Sequence, residues 1–439
     1  MKIRWMILGC YVLVVLAANT LSADNEVPKS LERYVKANDD SFSWEHLDER
    51  KTDFGTVYRL KLVSQTWHDI VWSHALTIYK PAQIAHPKHA LLFVSGGSTG
   101  RMPSEKDQEV GLRLANACGA CVAYLNQVPN QPLLGDRVED DLITETWLRY
   151  LKTGDDTWPL LFPMVKSAVK AMDAVEEFSQ QKLELPIEKF VITGASKRGW
   201  TSWLSPVVDK RIAATAPIVI DVLNFMKQTL NQKATWGKYS EQIIDYTSKG
   251  LVKTSLEAES ERERQLRVMM DPFTYRSQLS LPKLMIVGTN DPYWVVDAMN
   301  IYWDDLVGPK YVLQVPNAGH GLDGGREHAL NTLSIYFQHV ASATALPKIS
   351  WNLDEGKLSR NLKINCDQPI VAAKLWSSKS SDLDFRDDTW TSTPLAVNGK
   401  SLTTLLEGTP DDQHIAYFVE LTFKYRDRPY SLTTLVFKQ

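Results

Sequence analysis

The chain has 439 residues, of which 44% are hydrophobic, 23% charged and 10% aromatic, so it can bury a large core and is not typical of a disordered or fibrous protein. Lys and Arg number 49 against 52 Asp and Glu, a formal net charge of -3, and no extended basic run marks a nucleic-acid binder. The length favours one large domain followed by a smaller one.

The N-terminal segment predicts export. Residues 1–23 begin with Lys2 and Arg4, continue in the apolar run 5–18 and end at a small residue, which is the pattern of a secretory signal peptide. The apolar run is shorter than the roughly 20 residues that a membrane span needs. We therefore expect a mature protein that starts near Asp24, is secreted or periplasmic, and has no integral membrane segment once the signal is removed.

Three cysteines, Cys118, Cys121 and Cys366, follow the predicted signal peptide. The C-x-x-C spacing of Cys118 and Cys121 is compatible with redox chemistry or with half of a metal site. No second C-x-x-C or His pair supplies the other two zinc ligands, and Cys121 opens an apolar strand. The pattern therefore favours a structural role and leaves a redox function as the least favoured alternative.

Strands and helices alternate from residue 24 to about 345, and this order predicts a mostly parallel sheet covered by helices. The predicted strands are 56–64, 73–79, 90–95, 120–125, 190–193, 212–217, 284–287 and 311–315, and the predicted helices include 105–117, 142–151 and 164–178. The alternation breaks at about 221–281, where a helical insertion is expected. Its Glu- and Arg-rich stretch 255–270 predicts a helix with a solvated charged face.

Residues 346–439 have a different pattern, which predicts a second domain. Residues 415–425 alternate apolar and polar side chains, and a turn leads into residues 430–437, as in a β-hairpin. Shorter strand-like pieces lie at 361–364 and 370–376. Together they predict a small antiparallel β-sandwich.

The most informative stretch is 190–200, with the sequence FVITGASKRGW. A buried strand ends in Gly-x-Ser and a helix follows at once, which is the strand-turn-helix context of a nucleophile elbow. Ser196 is then expected at the carboxyl edge of the sheet. The second glycine of G-x-S-x-G is missing, because position 198 is Arg and the glycine follows at Gly199, so the motif alone also fits an ordinary turn.

Chain order adds a base and an acid to Ser196, because α/β-hydrolases place them in the order Ser, acid, His. His320 follows the predicted strand 311–315 in a loop, and Asp291 ends the loop after the predicted strand 284–287. Asp221 and Asp297 are alternative acids. The other histidines in this part of the chain are expected in packing or surface roles; they are His328, His339 and His414.

The remaining site residues follow from the charge that acyl transfer develops. An oxyanion needs donors, and the backbone N–H groups of Lys197 and of Gly97, in the loop after the strand 90–95, are the candidates. No Lys-Ser/Thr pair follows Gly100, which excludes a phosphate-binding P-loop. The Arg198 side chain is a candidate for binding an anionic substrate group, with an ion pair to an acidic neighbour as the alternative. Triad chemistry implies no cofactor and no metal.

Six short motifs in order carry a resemblance to one family. They are QVPNQPL at 127–133, TWP and FPM within 157–164, GASKRGW at 194–200, DPFTY at 271–275 and PNAGH at 316–320. With these motifs the chain resembles the PhoPQ-activated pathogenicity-related proteins from about Tyr34 to the C-terminus. The turn at Ser196 is also similar to that of glucuronoyl esterases, but the rest of the chain does not follow that family.

The resemblance implies an exported protein with an α/β-hydrolase fold and a triad of Ser196, Asp291 and His320, and its name suggests a link to bacterial virulence or envelope stress. We therefore predict a serine hydrolase that acts on a small-molecule, peptide or ester substrate. The alternative is a secreted, non-catalytic interaction or signalling protein on a hydrolase fold, for which a protein partner stays open.

Overall fold

The computed structural model describes residues 27–354, 359–408 and 413–439, so the predicted signal peptide lies outside the described residues. The strands are β1 Ser43–Thr52, β2 Gly55–Trp67, β3 Ile70–Pro81, β4 His89–Val94, β5 Cys121–Leu125, β6 Lys189–Ala195, β7 Ile212–Ile218, β8 Lys283–Gly288, β9 Lys310–Val315, β10 Ile349–Leu353, β11 Ser359–Cys366, β12 Ala372–Ser380, β13 Thr391–Leu395, β14 Ser401–Glu407, β15 His414–Tyr425, β16 Arg428–Thr433 and β17 Phe437–Lys438. The α-helices are α1 Ser30–Lys36, α2 Glu105–Cys118, α3 Glu139–Thr153, α4 Leu161–Phe178, α5 Lys197–Val208, α6 Phe225–Trp236, α7 Ile244–Ser248, α8 Glu261–Met270 and α9 Arg326–Ala341.

The first nine strands form one sheet in the order β1-β2-β3-β5-β4-β6-β7-β8-β9. The six strands β4 to β9 run parallel to one another. At one side of the sheet, β1, β2 and β3 pair antiparallel, and β3 is also antiparallel to β5. The carboxyl ends of the parallel strands meet at one edge, where such sheets bind ligands. The predicted α/β-hydrolase fold with a mostly parallel sheet is confirmed.

Helices cover both faces of this sheet, and the side-chain alternation of the strands explains the two layers. In β4, Leu92 faces the core that contains Phe162 of α4, whereas its neighbour Leu91 faces the core that contains Leu333 of α9. Successive side chains of a strand point to opposite faces, so a strand covered on both sides must be apolar throughout. β8 is an example: all six of its residues are buried, and only Lys283, at its start, is charged. The ammonium of Lys283 donates to the Val307 carbonyl.

The edge strand β1 was not among the predicted strands. Its sequence, SWEHLDERKT, is mostly exposed and lacks the apolar alternation that marks a half-buried strand. Its register against β2, from Ser43 opposite Val63 to Thr52 opposite Gly55, is set by the partner strand. Charged side chains on an edge strand also discourage pairing with other chains.

The insertion between β7 and β8 contains α6, α7, α8 and short 3-10 turns. The predicted helix 255–270 begins later than expected, at Glu261. Ser260 caps it, because its hydroxyl accepts the N–H of Glu263 while the Glu263 carboxylate accepts the N–H of Ser260. This capping box fixes the start of the helix and leaves only a 3-10 turn at Leu256–Ala258 ahead of it.

The C-terminal region forms two antiparallel sheets, β10-β11-β14 and β13-β12-β15-β16, with β17 added to β15. The predicted hairpin corresponds to β15 and β16, joined at Arg426 and Asp427, both of which have positive φ. These sheets share one hydrophobic core with α9. The boundary at 345/346 between two domains stays a prediction. Across the described ranges, none of the helices combines the length and apolar character that crossing a membrane requires.

Candidate active site

Ser196 occupies a sharp turn between β6 and α5. Its backbone has φ 57° and ψ -126°, a conformation that costs a non-glycine residue about 1–3 kcal/mol and that clusters at functional sites. The N–H of Ser196 donates to the carbonyl of Ile218 at 2.8 Å, which fixes the turn to the neighbouring strand β7. The strained turn therefore lies at the carboxyl edge of the parallel strands.

The glycine that follows one position late has a packing explanation. A Cβ at Gly199 would lie 2.6 Å from Cγ2 of Ile220 and 2.8 Å from the carbonyl oxygen of Gly194, so a larger residue there would push α5 away from the sheet. Position 198 has no such restriction, because the Arg198 side chain leaves the turn toward Glu139. In G-x-S-x-G the second glycine would stand at position 198. Here the close contact between α5 and the sheet is made one residue later, by Gly199.

Three polar side chains form a continuous row at this edge. Nε2 of His320 lies 2.8 Å from Oγ of Ser196, and Nδ1 of His320 lies 2.8 Å from Oδ2 of Asp291. His320 and Asp291 lie in the loops after β9 and β8, respectively. Asp291 is buried, and its Oδ1 also accepts the N–H of Tyr293 at 3.0 Å. The structure therefore brings together all three residues that chain order suggested.

The alternative acids, Asp221 and Asp297, are not the partners of His320. Asp297 pairs with Lys438 at 2.9 Å. Asp221 follows β7 and is buried; burial raises the pKa of its carboxyl to about 7, against the opposing effect of the Tyr302 hydroxyl. His320 contacts Asp291 rather than either of these residues.

The other late histidines have partners away from Ser196. His328, on α9, lies 3.7 Å from Glu420, and His339, on the same helix, lies 3.0 Å from the Thr344 hydroxyl. His414 begins β15 in the C-terminal region.

The candidate oxyanion donors follow two adjacent strands, β4 and β6. Gly97 follows β4, which pairs in parallel with β6 through Val94 and Gly194, and Lys197 is the first residue of α5. Gly97 has φ 107°, in the region that favours glycine. The loop that contains Gly97 is therefore at the same sheet edge as Ser196.

The motif 127–133 supports this loop, a role that the sequence did not reveal. The N–H of Gln127 donates to the Gly96 carbonyl at 2.8 Å, and the N–H of Thr99 donates to the Gln131 carbonyl at 2.8 Å. The Gln131 side chain continues the network, since it donates to Glu139 at 2.7 Å. The family motif therefore connects the Gly97 loop to the start of α3.

Arg198 is buried and paired, which is the alternative that the sequence left open. Its guanidinium donates to both carboxylate oxygens of Glu139, at 2.9 and 2.8 Å, and to the Val128 carbonyl. Burial works to raise the pKa of Glu139, but the hydrogen bonds and charge of Arg198, with the charge of Lys197, hold it at about 2. The Arg198 charge is thus neutralised by Glu139 inside the protein.

Lys197 and Tyr293 connect the turn to a second carboxylate that the sequence analysis did not single out. Nζ of Lys197 lies 3.1 Å from Asp140, which also accepts the Tyr293 hydroxyl at 3.3 Å. Burial, reinforced by the negative charge of Asp140, raises the pKa of Tyr293, so its hydroxyl stays protonated. Its ring packs against His320 with centroids 4.3 Å apart. Tyr293 therefore contacts the base through its ring and the acid through its backbone.

A segment of the C-terminal region, residues 384–390, holds the two loops that carry Asp291 and His320. The side chain of Asn290 donates to the Asp388 carbonyl at 2.7 Å. Asn317 donates to the Trp390 carbonyl at 2.9 Å and accepts the Trp390 N–H at 2.7 Å. Each Asn is close in sequence to a candidate triad residue. Its partner in the segment 384–390 is about 70 to 100 residues away, and no local sequence pattern predicts that contact.

The three described cysteines are buried and free. Burial raises the pKa of the Cys118 thiol and raises that of Cys121 to about 12. Reactive cysteines have lowered rather than raised pKa values. The structure therefore gives the redox alternative no support.

Sequence comparisons match the chain to one family and to a curated relative. The sequence profile of the PhoPQ-activated pathogenicity-related protein family matches residues 31–386. The chain is 31% identical to autocrine proliferation repressor protein A of Dictyostelium discoideum over 357 residues, which cover 78% of this chain and 71% of that protein.

Two solved structures with low sequence identity are similar in fold. Acetyl xylan esterase 1 from Thermoanaerobacterium has a TM-score of 0.47 and 16% identity, covering 70% of this chain and 95% of its own. A glucuronoyl esterase from Solibacter usitatus has a TM-score of 0.46 and 14% identity, covering 72% of this chain and 91% of its own. On the family match and the relative, the chain belongs to the PhoPQ-activated pathogenicity-related protein family.

Proposed function

We propose that the protein is an exported serine hydrolase of the esterase or peptidase type, with Ser196 as nucleophile, His320 as base and Asp291 as the orienting acid. The observation that carries the proposal is the unbroken row of two 2.8 Å contacts from Ser196 through His320 to Asp291. The strained turn at Ser196 adds support, since such strain is held at functional sites. Export and the link to virulence stay predictions of the sequence.

The chemistry follows from the charges that develop. Oγ of Ser196 forms a bond to the substrate carbonyl carbon while Nε2 of His320 takes its proton. The N–H groups of Lys197 and Gly97 stabilise the resulting oxyanion. The protonated His320, stabilised by Asp291, then donates the proton to the departing alcohol or amine.

The second half repeats these steps with water. His320 removes a proton from a water molecule while the oxygen of that water bonds to the acyl carbon. The ester bond to Ser196 then breaks, and the proton on His320 returns to Oγ of Ser196. No other reactant is required.

The test is labelling of the purified protein with a fluorophosphonate probe, beside Ser196→Ala and His320→Ala. We expect labelling of the native protein and its loss in both variants, while Ser248→Ala, at an exposed serine, labels normally. Native protein that is folded by circular dichroism but fails to label contradicts the proposal.

A second candidate is a secreted interaction or signalling protein that acts without catalysis. The name of the Dictyostelium relative, autocrine proliferation repressor, favours it. Ser196→Ala protein that keeps its full biological effect would support this candidate, whereas loss of the effect together with labelling supports the hydrolase.

A further inference from the structure

A cavity of about 140 Å³ lies beside the candidate nucleophile, and Ser196 and His320 both line it. Its other walls come largely from the helical insertion, with α3, α5 and the loop after β8 completing them. The lining is mostly apolar and includes Trp147, Trp200, Phe225, Met226 and Tyr246. A substrate bound to Ser196 therefore has an apolar recess next to its reacting carbonyl.

The aromatic side chains meet edge to face, which gives the recess a defined shape. Trp147 and Trp200 have ring centroids 6.0 Å apart at 90°, and Trp200 and Phe225 have centroids 5.2 Å apart at 82°. Tyr246 contacts Trp147 at 5.3 Å. Such contacts are favourable arrangements of aromatic rings and present ring faces and edges toward a guest.

The charged side chains in the lining are paired with one another. Three ion pairs account for all six: Asp140 with Lys197 at 3.1 Å, Lys253 with Glu263 at 2.7 Å, and Arg267 with Glu259 at 2.8 Å. The net charge of the lining is therefore zero. A charged guest would have to exchange water for a surface that offers it no unpaired opposite charge, which is unfavourable.

The size of the recess sets the size of its guest. A dry, apolar cavity of about 150 Å³ is large enough for benzene. The cavity beside Ser196 has nearly this volume, whereas an acetyl methyl group would leave most of it empty. Its volume and lining thus match one six-membered ring.

We propose that this cavity binds an uncharged apolar group of aromatic-ring size, attached on one side of the bond that Ser196 attacks. The inference rests on the proposed function, because it uses Ser196 as the attacking residue. It deepens that function by naming the substrate class: neutral esters or amides with a ring-sized apolar group.

The first test compares two sulfonyl fluorides that react with an activated serine, phenylmethylsulfonyl fluoride and methanesulfonyl fluoride. Each rate constant for inactivation is divided by the rate constant for the same reagent's reaction with hydroxide, which corrects for intrinsic reactivity. After this correction, we expect phenylmethylsulfonyl fluoride to inactivate the protein at least tenfold faster than methanesulfonyl fluoride. In Met226→Trp, where a larger side chain on α6 fills the cavity, this ratio should fall about tenfold. Leu230→Trp, on the same helix at an exposed residue outside the lining, should keep the native ratio.

The second test is independent of turnover and uses Ser196→Ala protein. Benzyl acetate should quench tryptophan fluorescence saturably, bind at least tenfold more tightly than its 4-carboxy derivative, and lose binding when Met226→Trp is added. In a separate measurement with native protein, initial rates of hydrolysis of methyl phenylacetate against benzyl acetate then assign the ring to the acid or the alcohol side.

The outcomes separate the two claims. Labelling of Ser196 by fluorophosphonate with equal sulfonyl fluoride rates, or with a ratio that Met226→Trp leaves unchanged, overturns the cavity assignment alone. Absence of all labelling overturns the proposed function, and the benzyl acetate titration then decides the cavity assignment: saturable binding supports it and no binding overturns it.

Discussion

Two regions flank the candidate active site and serve it in different ways. The insertion supplies the apolar side chains that line the cavity, and the buried carboxylate of Asp271 holds its first helix. That carboxylate accepts the N–H groups of Asn224 and Phe225 at 3.1 and 2.8 Å. The C-terminal segment 384–390 instead offers backbone groups to the neutral amides of Asn290 and Asn317.

Each of the two regions is therefore expected to control a different property of the site. Side chains that line a recess decide what fits, so changes in the insertion should alter the choice of substrate. Hydrogen bonds that fix the loops of Asp291 and His320 decide the geometry of the reacting groups, so changes there should slow every reaction of Ser196 alike. The insertion also holds buried carboxyls, whereas the contacts of Asn290 and Asn317 with the C-terminal segment involve no titrating side chain.

The largest effect is expected from breaking the C-terminal contacts. The double variant Asn290→Ala, Asn317→Ala leaves backbone groups of Asp388 and Trp390 without partners and frees both loops. Small displacements of catalytic groups cost about 10²-fold in rate, so the rate of fluorophosphonate labelling should fall about 10- to 100-fold. The measurement is the second-order labelling rate of folded protein.

The matched control is Asn331→Ala. Asn331 also joins α9 to the C-terminal region, donating to the Pro429 carbonyl at 2.8 Å, but it lies away from the triad loops. It should lose stability without losing labelling rate. Equal slowing in both variants would show that the contacts act through general stability.

A smaller effect is expected from Asp221, the buried carboxyl where the insertion starts. Because burial raises its folded-state pKa to about 7, the folded chain keeps a proton that the unfolded chain releases near pH 4. The free energy of unfolding should therefore fall as pH rises from about 4 to 7. Asp221→Asn should flatten this fall and raise the stability at pH 8 by about 1–3 kcal/mol.

Urea unfolding at several pH values measures this effect. Asp323→Asn serves as the control, because Asp323 is exposed and pairs only with the exposed Arg326 in the contacts that the structure gives. The same slope in native and Asp221→Asn protein would rule out Asp221 as its source.

The smallest effect is expected where the two regions touch. The Arg386 guanidinium of the C-terminal segment lies 3.8 Å from the ring centroid of Trp236, at the end of α6, and also donates to the Pro292 carbonyl at 3.3 Å. Arg386→Ala should lower the stability by about 1 kcal/mol, the size of a cation-π contact. Its labelling rate should stay within twofold of native protein.

Thermal unfolding and labelling measure the two quantities together. Arg386→Lys, which keeps the charge but not the planar group, should recover part of the stability. A tenfold loss of labelling rate in Arg386→Ala would show that the two regions act as one functional unit. It would contradict the expectation that the insertion controls substrate choice while the C-terminal segment controls the geometry of the reacting groups.

The sequence by itself determined the parts that depend on local pattern. The run 284–287, and the run 311–315 that is apolar except for Gln314, predicted buried parallel strands, because a strand covered on both faces has few polar positions. Chain order then singled out Ser196, Asp291 and His320, since residues that follow successive parallel strands meet at one sheet edge. The charged strand β1 escaped prediction, because its register comes from β2.

Tertiary structure alone decided how the other side chains are used. Arg198 neutralises Glu139 instead of facing the cleft, Tyr293 packs on His320, and Asn290 and Asn317 bind a segment far along the chain. Contacts between residues separated by tens of positions follow from packing, and packing depends on the whole core. For the same reason the cavity beside Ser196, built from α3, α5, the insertion and the loop after β8, has no signature in the sequence of any one element.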